Sequence, residues 1–344
     1  MKTYLYKTTL LLSIILLLAA NKNYSQFGQT QPIVYAAGYE YSMQGKKIAK
    51  IWKNNQTENI GNVNVESVAN SIYVAKGDVF VAGREGDKAT IWKNGEAAHL
   101  TNGQADSEAK AVYVAGRNVY AAGYKYDSLL GNTVAIVWTN NAPANLTNGT
   151  YSAKANGIFV AKDVVYVCGF ERSSSGNSVA KVWRNGISQS LSEGTTAAEA
   201  TSIFVYNGDV YVTGYEKSAT GLETVKYWKN GISQPFLSGI GSMSKGNSIY
   251  VANDIVYIAG YKKNASGLYN ATCWKNAEPQ TLSNESADTE GRGVWVTGTD
   301  IYVVGAKKTS TVKTTYKIWK NGVSHEMGIS KYYSGGVNAV FVSN

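Results

Sequence analysis

The chain has 344 residues and a formal net charge of +9, with 35 glycines, 25 tyrosines, eight tryptophans, four prolines and two cysteines. Two cysteines exclude a disulfide-dense scaffold, and the lack of long segments with helical periodicity argues against a helical protein. The charge is modest for this length, so we expect no nucleic-acid partner. The composition is typical of many short strands joined by turns.

The N-terminal segment has the pattern of a secretory signal peptide. Lys2 and Lys7 precede an apolar run at residues 9–20 that is too short to span a membrane comfortably. We predict a signal peptide at 1–25 and a short tail at 26–31, with cleavage after Ala20 or Ser25; an uncleaved anchor is the alternative. No cysteine follows the run as a lipid anchor. We therefore expect a secreted or periplasmic protein with no membrane span after cleavage.

From about residue 32 onward, the chain is a repeat of about 45 residues. One marker is a tryptophan, usually followed by Lys-Asn-Gly, and the other is a glycine that ends an alternating apolar run. The tryptophans are Trp52, Trp92, Trp138, Trp183, Trp228, Trp274 and Trp319. The glycines are Gly38, Gly83, Gly123, Gly169, Gly214, Gly260 and Gly305.

One unit of the repeat predicts four strands. Residues 71–75, 79–83 and 88–92 alternate as strands do. Asn94-Gly95 is a favoured hairpin turn because both positions need positive φ, and residues 97–101 form a short fourth strand before a polar crossing at 102–110. Such a sheet cannot bury both faces alone. Seven of them packed around an axis make an all-β, seven-bladed β-propeller of four-stranded antiparallel blades.

The two ends of the repeat complement each other. Residues 33–38 match the second strand of the unit, and residues 339–343 match the first. We therefore predict one domain, 32–344, whose ring is closed by pairing of the N- and C-terminal strands in a blade shared by about 32–66 and 337–344. The tryptophans are interpreted as packing between blades.

The layout resembles seven-bladed β-propellers in general, over nearly the whole mature chain. It lacks the Gly-His and Trp-Asp pair of WD40 repeats, the double glycine of kelch repeats and the Ser-x-Asp-x-Gly-x-Thr-Trp box of sialidase-like propellers. The resemblance therefore implies an architecture, and it carries over no active-site residue.

A ring of polar residues is predicted where each first strand begins. Five successive charges alternate in sign, and the ring breaks at Val68 and Gly336. We interpret it as a rim of ion pairs between blades around the channel mouth, suited to a hydroxyl-rich ligand; a solvated rim without a ligand is the alternative. The candidate ligand-binding residues are Asn70, Glu108, Lys110, Lys154, Asn156, Glu199, Lys245, Asn247, Glu290, Arg292 and Asn338.

A second ring follows the marker glycines and contains four tyrosines, namely Tyr39, Tyr124, Tyr215 and Tyr261. Exposed aromatic rings beside polar loops would form a platform for stacking on sugars. Packing between blades is the alternative.

Catalysis has little support in the sequence. The two histidines lie far apart, at equivalent positions of the short outer strand, and no nucleophile, metal or cofactor motif is present. We expect a secreted, non-catalytic, monomeric binding module without a cofactor or metal, with a glycan as its first candidate ligand. The alternatives are a scaffold that binds another extracellular protein and, as a minority reading, a propeller-type glycosidase or lyase. The two cysteines are expected to be buried, free thiols.

Overall fold

The computed structural model describes residues 31–54, 56–236, 241–283, 286–308, 314–327 and 334–343. The predicted signal peptide and all but the last residue of the tail lie outside the described residues. One compact unit spans Val34–Ser343, and a separate terminal unit, Met1–Ile33 with Asn344, contributes only residues 31–33 to the description.

The compact unit consists of seven four-stranded antiparallel sheets, which we number as blades in chain order. Blade 1 contains β1 (Ile33–Tyr41), β2 (Lys47–Lys53) and β3 (Gln56–Asn59), and blade 2 contains β4 (Ser67–Ala75), β5 (Asp78–Glu85), β6 (Lys88–Lys93) and β7 (Glu96–His99). Blade 3 contains β8 (Ser107–Ala115), β9 (Asn118–Asp127), β10 (Asn132–Thr139) and β11 (Ala142–Asn145). Blade 4 contains β12 (Ala153–Ala161), β13 (Val164–Arg172), β14 (Ser178–Arg184) and β15 (Ile187–Ser190). Blade 5 contains β16 (Ala198–Tyr206), β17 (Asp209–Lys217), β18 (Glu223–Lys229) and β19 (Ile232–Ser233). Blade 6 contains β20 (Ser244–Ala252), β21 (Ile255–Lys263), β22 (Tyr269–Lys275) and β23 (Glu278–Thr281). Blade 7 contains β24 (Thr289–Thr297), β25 (Asp300–Lys308), β26 (Thr314–Lys320) and β27 (Val323–Glu326), and β28 (Gly335–Ser343) completes blade 1.

The ring closes as predicted. Strand β28 pairs with β1, so blade 1 takes its innermost strand from the C-terminal end of the unit and its other three strands from the N-terminal end. The innermost strand of every blade lies against the innermost strands of both neighbours, all the way round. The all-β, seven-bladed architecture is therefore confirmed.

The hairpin asparagines have a second role that the turn pattern did not predict. Asn94 and Gly95 have φ of 50° and 85°, as the turn requires. The side-chain oxygen of Asn94 also accepts the backbone N–H of Val79 at 2.8 Å. The backbone N–H of Asn94 in turn donates to the Val79 carbonyl at 2.9 Å. This side chain thus ties the outer hairpin to the start of the second strand. The asparagines that do so are Asn54, Asn94, Asn140, Asn185, Asn230, Asn276 and Asn321.

The marker tryptophans form the packing between blades, as predicted. All seven are at most 1% exposed. Trp183 of blade 4 packs in a cluster with Ala111 and Ala122 of blade 3, and Trp228 of blade 5 packs with Cys168 of blade 4. Each such indole removes a large apolar area from water at the interface between two blades.

Packing holds the ring together without a disulfide. Cys168 and Cys273 are both buried and free, as expected. Within the described ranges, no helix has the length and apolar character needed to cross a membrane.

Candidate functional site: the central channel

The innermost strands are longer than predicted, and those of blades 2–7 each carry a bulge. Strand β4 begins at Ser67, four residues before the predicted start, and its register with β5 shifts between Ala69 and Ser71. A bulge inserts one unpaired residue and re-aims its side chain. The bulge residues of blades 2–7 are Asn70, Lys110, Asn156, Thr201, Asn247 and Arg292. Together with Asn338 of blade 1, they line the central channel.

Most of these side chains bridge adjacent blades by hydrogen bonds to the backbone. In each case an amide or hydroxyl donates to a carbonyl oxygen at the start of the next innermost strand, at 2.7–3.0 Å. The pairs are Asn70 with Ala109, Asn156 with Ala200, Thr201 with Gly246, Asn247 with Gly291, and Asn338 with Ala69. The four candidate asparagines thus lie at the channel, and each already uses an amide N–H to bridge two blades.

Glu108 lies at the rim between blades 2 and 3. Asn70 donates to its carboxylate at 2.7 Å, and Lys110, two residues along the same strand, approaches to 3.5 Å. Burial by itself raises the pKa of Glu108, but the charge of Lys110 and the amide of Asn70 outweigh burial and hold the pKa below the ordinary value of 4.5.

Glu290 repeats this arrangement between blades 6 and 7. Asn247 donates to it at 2.8 Å, and Arg292 Nε lies 3.2 Å away. Arg292 also donates from Nη1 to Asn338 at 3.0 Å, and a Cβ added at Gly336 would come within 2.7 Å of that nitrogen. The break in the charge ring at Gly336 is thus the space that Arg292 occupies. The ion pairs of Glu108 and Glu290 are made within a strand, which corrects the predicted rim of ion pairs between blades.

The rim lysines pack on tyrosines of the preceding blade. Lys154 Nζ lies 3.9 Å from the centre of the Tyr124 ring, and Lys245 Nζ lies 4.8 Å from that of Tyr215. The two tyrosines are only 6% and 7% exposed, so they do not form the predicted exposed platform. Burial raises the pKa of the Tyr215 hydroxyl, and the neighbouring Glu199 raises it further.

The other two candidate tyrosines are half-buried. Tyr39 packs edge-on against Tyr41, with ring centres 5.8 Å apart, and Lys47 lies over its face. Tyr261 packs edge-on against Tyr269 at 4.9 Å and donates to Glu223 at 3.2 Å. All four tyrosines therefore contribute to packing within or between blades.

A collar of seven aromatic rings encircles the channel three residues beyond the bulges. Neighbouring ring centres are 4.2–5.2 Å apart, and the circle is complete. Rings at this spacing lie on a circle of radius about 5.5 Å, and the rings themselves fill part of it, so the opening is narrower than an α-helix, whose diameter is about 10–12 Å. The collar residues are Tyr73, Tyr113, Phe159, Phe204, Tyr250, Trp295 and Phe341.

A cavity of about 390 Å³ extends from the bulge residues to the collar. Among the residues that line it, only Lys110 and Arg292 carry a charge, and none is a carboxylate. The remaining rim candidates lie outside it, in two further pockets that Lys110 and Arg292 also line. Lys154 and Glu199 line one of these together with Glu108, and Lys245 and Glu290 line the other.

Among the described residues, one set of three side chains is arranged like a nucleophile, a base and an acid. Thr90 and His99 Nδ1 are 3.1 Å apart, and His99 Nε2 lies 3.7 Å from Glu85. Thr90, however, is fully buried, so no substrate can reach its hydroxyl.

Burial raises the pKa of both cysteine thiols, that of Cys273 to about 12. Among the described residues, no cluster of three metal-ligating side chains was found.

No protein-family model matches the sequence, and no curated protein matches it. Solved structures match its fold. The acylaminoacyl peptidase of Pyrococcus horikoshii is 13% identical, with a TM-score of 0.54 over 87% of this chain and 51% of that one. The chain thus spans about half the length of that peptidase. The β-propeller domain of the Trilobed protease of Pyrococcus furiosus is 12% identical, with a TM-score of 0.53 over 88% of this chain and 95% of that one.

These structures correct the expected function. The sequence suggested a glycan-binding module, with an interaction scaffold or a glycosidase or lyase as alternatives. The solved structures reported above belong instead to a peptidase and a protease. The geometry also argues against the expected glycan site, because the rim amides are engaged between blades and two of the four tyrosines are buried. At 12–13% identity, the likeness to these structures shows the fold alone.

Proposed function

We propose that this chain is a non-catalytic propeller that works with a peptidase and receives the end of an unfolded polypeptide in its central channel. One observation carries the proposal: the cavity is polar at its mouth and is narrowed by the aromatic collar to an opening smaller than the diameter of an α-helix. Such a cavity admits a chain end and excludes a helix or a folded domain. The proteases that share this architecture make peptides the ligand class to test first.

Peptide binding can be followed through one tryptophan. Trp295 of the collar is half-buried and lines the cavity, whereas the other seven tryptophans are at most 1% exposed. Unstructured peptides without tryptophan are titrated into the protein, and we expect a saturable change in Trp295 fluorescence. A folded protein without tryptophan is the comparison, and Trp295→Phe is the control for the signal. Absence of any change with peptides, or an equal change with the folded protein, would overturn the proposal.

The association with a peptidase needs a separate test. The full chain, tagged at its C-terminus, is purified from its own host, and the eluate is assayed with a panel of fluorogenic peptides. Peptidase activity should co-purify with the chain and should be absent from the isolated recombinant protein. An inactive eluate would remove the peptidase from the proposal, and intrinsic activity of the pure chain would overturn its non-catalytic role.

The proposed module is exported, because its first 25 residues have the pattern of a signal peptide. Fractionation of the host followed by N-terminal sequencing tests this. A mature chain that begins after Ala20 or Ser25 supports export, and an intact Met1 in the cytoplasmic fraction contradicts it.

A further inference from the structure

The wall of the channel cavity has one sign of charge. Lys110 projects from blade 3 and Arg292 from blade 7, three blades apart around the ring, and no carboxylate lines the cavity. The carboxylates that pair with these two residues, Glu108 and Glu290, lie outside the cavity lining, at the rim.

Both cations retain unused donors. Arg292 has five N–H groups, of which Nε points to Glu290 and Nη1 to Asn338. The Lys110 ammonium has three donors and approaches Glu108 at 3.5 Å. An oxygen-rich anion in the cavity would therefore find donors from both side chains without displacing the existing contacts.

The backbone of blade 1, which lies between the blades of Arg292 and Lys110, also favours an anion in the cavity. In three blades, a serine hydroxyl of one innermost strand accepts an N–H of the next strand at 3.2 Å, as Ser248 does for Val294. Beside Arg292 the equivalent residue is Gly293, and a Cβ there would lie 3.1 Å from the N of Val340. The Val340 N–H, in a residue that lines the cavity, therefore has no hydroxyl opposite it.

We infer that the cavity binds the C-terminal carboxylate of an extended peptide, with Lys110 and Arg292 as its ligands and the last side chain directed toward the collar. The inference rests on the proposed function and names the end of the chain that is received. The unused donors of Lys110 and Arg292 can bind a carboxylate, whereas a free N-terminal ammonium would meet two cations and no carboxylate in the lining. Three residues of strand separate bulge and collar, about 10 Å, which is enough depth for one terminal side chain.

The size of the cavity agrees with a chain end. At about 390 Å³ it lies in the lower part of the range for small-ligand pockets. The collar supplies an apolar floor for the terminal side chain, so an aromatic or aliphatic last residue fits better than a charged one.

Matched peptides test the inference. An N-acetylated tripeptide ending in Leu is titrated as the free acid and as the C-terminal amide, with Trp295 fluorescence as the readout. We expect the acid to bind at least tenfold more tightly and its affinity to fall with added salt. In Lys110→Gln/Arg292→Gln the preference for the acid should drop below twofold. Lys154→Gln/Lys245→Gln removes the same charge from the rim outside the cavity and should keep the preference.

Each outcome separates the inference from the proposed function. If neither acid nor amide binds, the proposed function fails. If both bind equally, peptide binding stands and carboxylate recognition is overturned. Acid preference that survives Lys110→Gln/Arg292→Gln overturns the residue assignment. If sodium acetate competes as well as the peptide acid, the cavity is a simple anion site, and recognition of the peptide is overturned. If the double variant fails to fold, Arg292→Gln and Lys110→Gln are measured singly, and each should lower the preference at least threefold.

Discussion

The marker glycines are explained at the level of single atoms. Each marker glycine lies in the second strand of a blade, against the backbone carbonyl of the rim residue in the innermost strand of the same blade. An added Cβ would overlap the oxygen of that carbonyl. At Gly83 and Gly260 the Cβ would also meet the edge of the marker tryptophan, at 2.9 and 3.1 Å. Glycine and tryptophan recur together because the carbonyl of the rim residue and the indole both approach the same backbone position.

Gly214→Ala should therefore destabilise the protein by about 3 kcal/mol, since the obstructing Glu199 carbonyl belongs to the backbone and cannot move aside. Gly221→Ala is the matched control: its φ of 82° is also unfavourable for alanine, but nothing lies within 4 Å. The control should lose only about 1 kcal/mol. Urea denaturation of the three proteins measures this, and equal losses would contradict the steric explanation.

Glu108 predicts a pH dependence of stability. Its pKa in the folded state lies below the ordinary 4.5 of the unfolded chain. The carboxylate therefore stabilises the fold above pH 4.5, and this contribution is lost as the pH falls through the lower, folded-state pKa.

We expect Glu108→Gln to lose about 1–2 kcal/mol at pH 7, where Lys110 is left without its partner, and much less near pH 3. Denaturation at a series of pH values gives the difference from the wild type. Exposed Glu96 on β7 provides Glu96→Gln as the control, whose difference from the wild type should stay small throughout. A loss that does not change with pH would contradict the role of the charge.

At the scale of the strand, the sequence identified the pattern but not the register. Period-two alternation and the Asn-Gly turns located the strands of the unit within a few residues. The bulge at Asn70 was not predicted, although buried Ala69 and Ile72 are three residues apart and so break the period of two; the register shift itself appears in the pairing with β5. The bulge residues Lys110 and Arg292 pair with the glutamates of their own strands, which is why the predicted rim of ion pairs between blades was wrong.

Thr201 shows what one bridge between blades contributes. Its hydroxyl donates to the Gly246 carbonyl of the next blade at 2.7 Å. Thr201→Val keeps the shape and removes the donor, so we expect a loss of about 1–2 kcal/mol. Thr201→Ser keeps the donor and should lose less than about 1 kcal/mol. Thermal or urea unfolding measures both, and a serine variant as unstable as the valine variant would assign the effect to the methyl group instead.

At the scale of the molecule, closure distinguishes this ring from one of its structural neighbours. The propeller of the Trilobed protease is described as having an open velcro topology, whereas here β28 seals blade 1 by pairing with β1. Every described innermost strand has two neighbours, so no blade forms a free end from which unfolding could begin. A linear repeat array, by contrast, can unfold from its ends.

The two buried cysteines test whether the closed ring unfolds as a unit. Cys168 lies in blade 4 and Cys273 in blade 6, and burial raises the pKa of both thiols, so neither reacts as a thiolate in the folded state. We expect Cys168→Ala and Cys273→Ala, each retaining one thiol, to be labelled by a thiol reagent at the same rate, equal to the rate of global unfolding followed by circular dichroism. Reducing agent should leave the melting temperature unchanged, because no disulfide exists to break. If one thiol reacts much faster than the other, its blade opens locally, and strand pairing in blade 1 would not be enough to couple all seven blades.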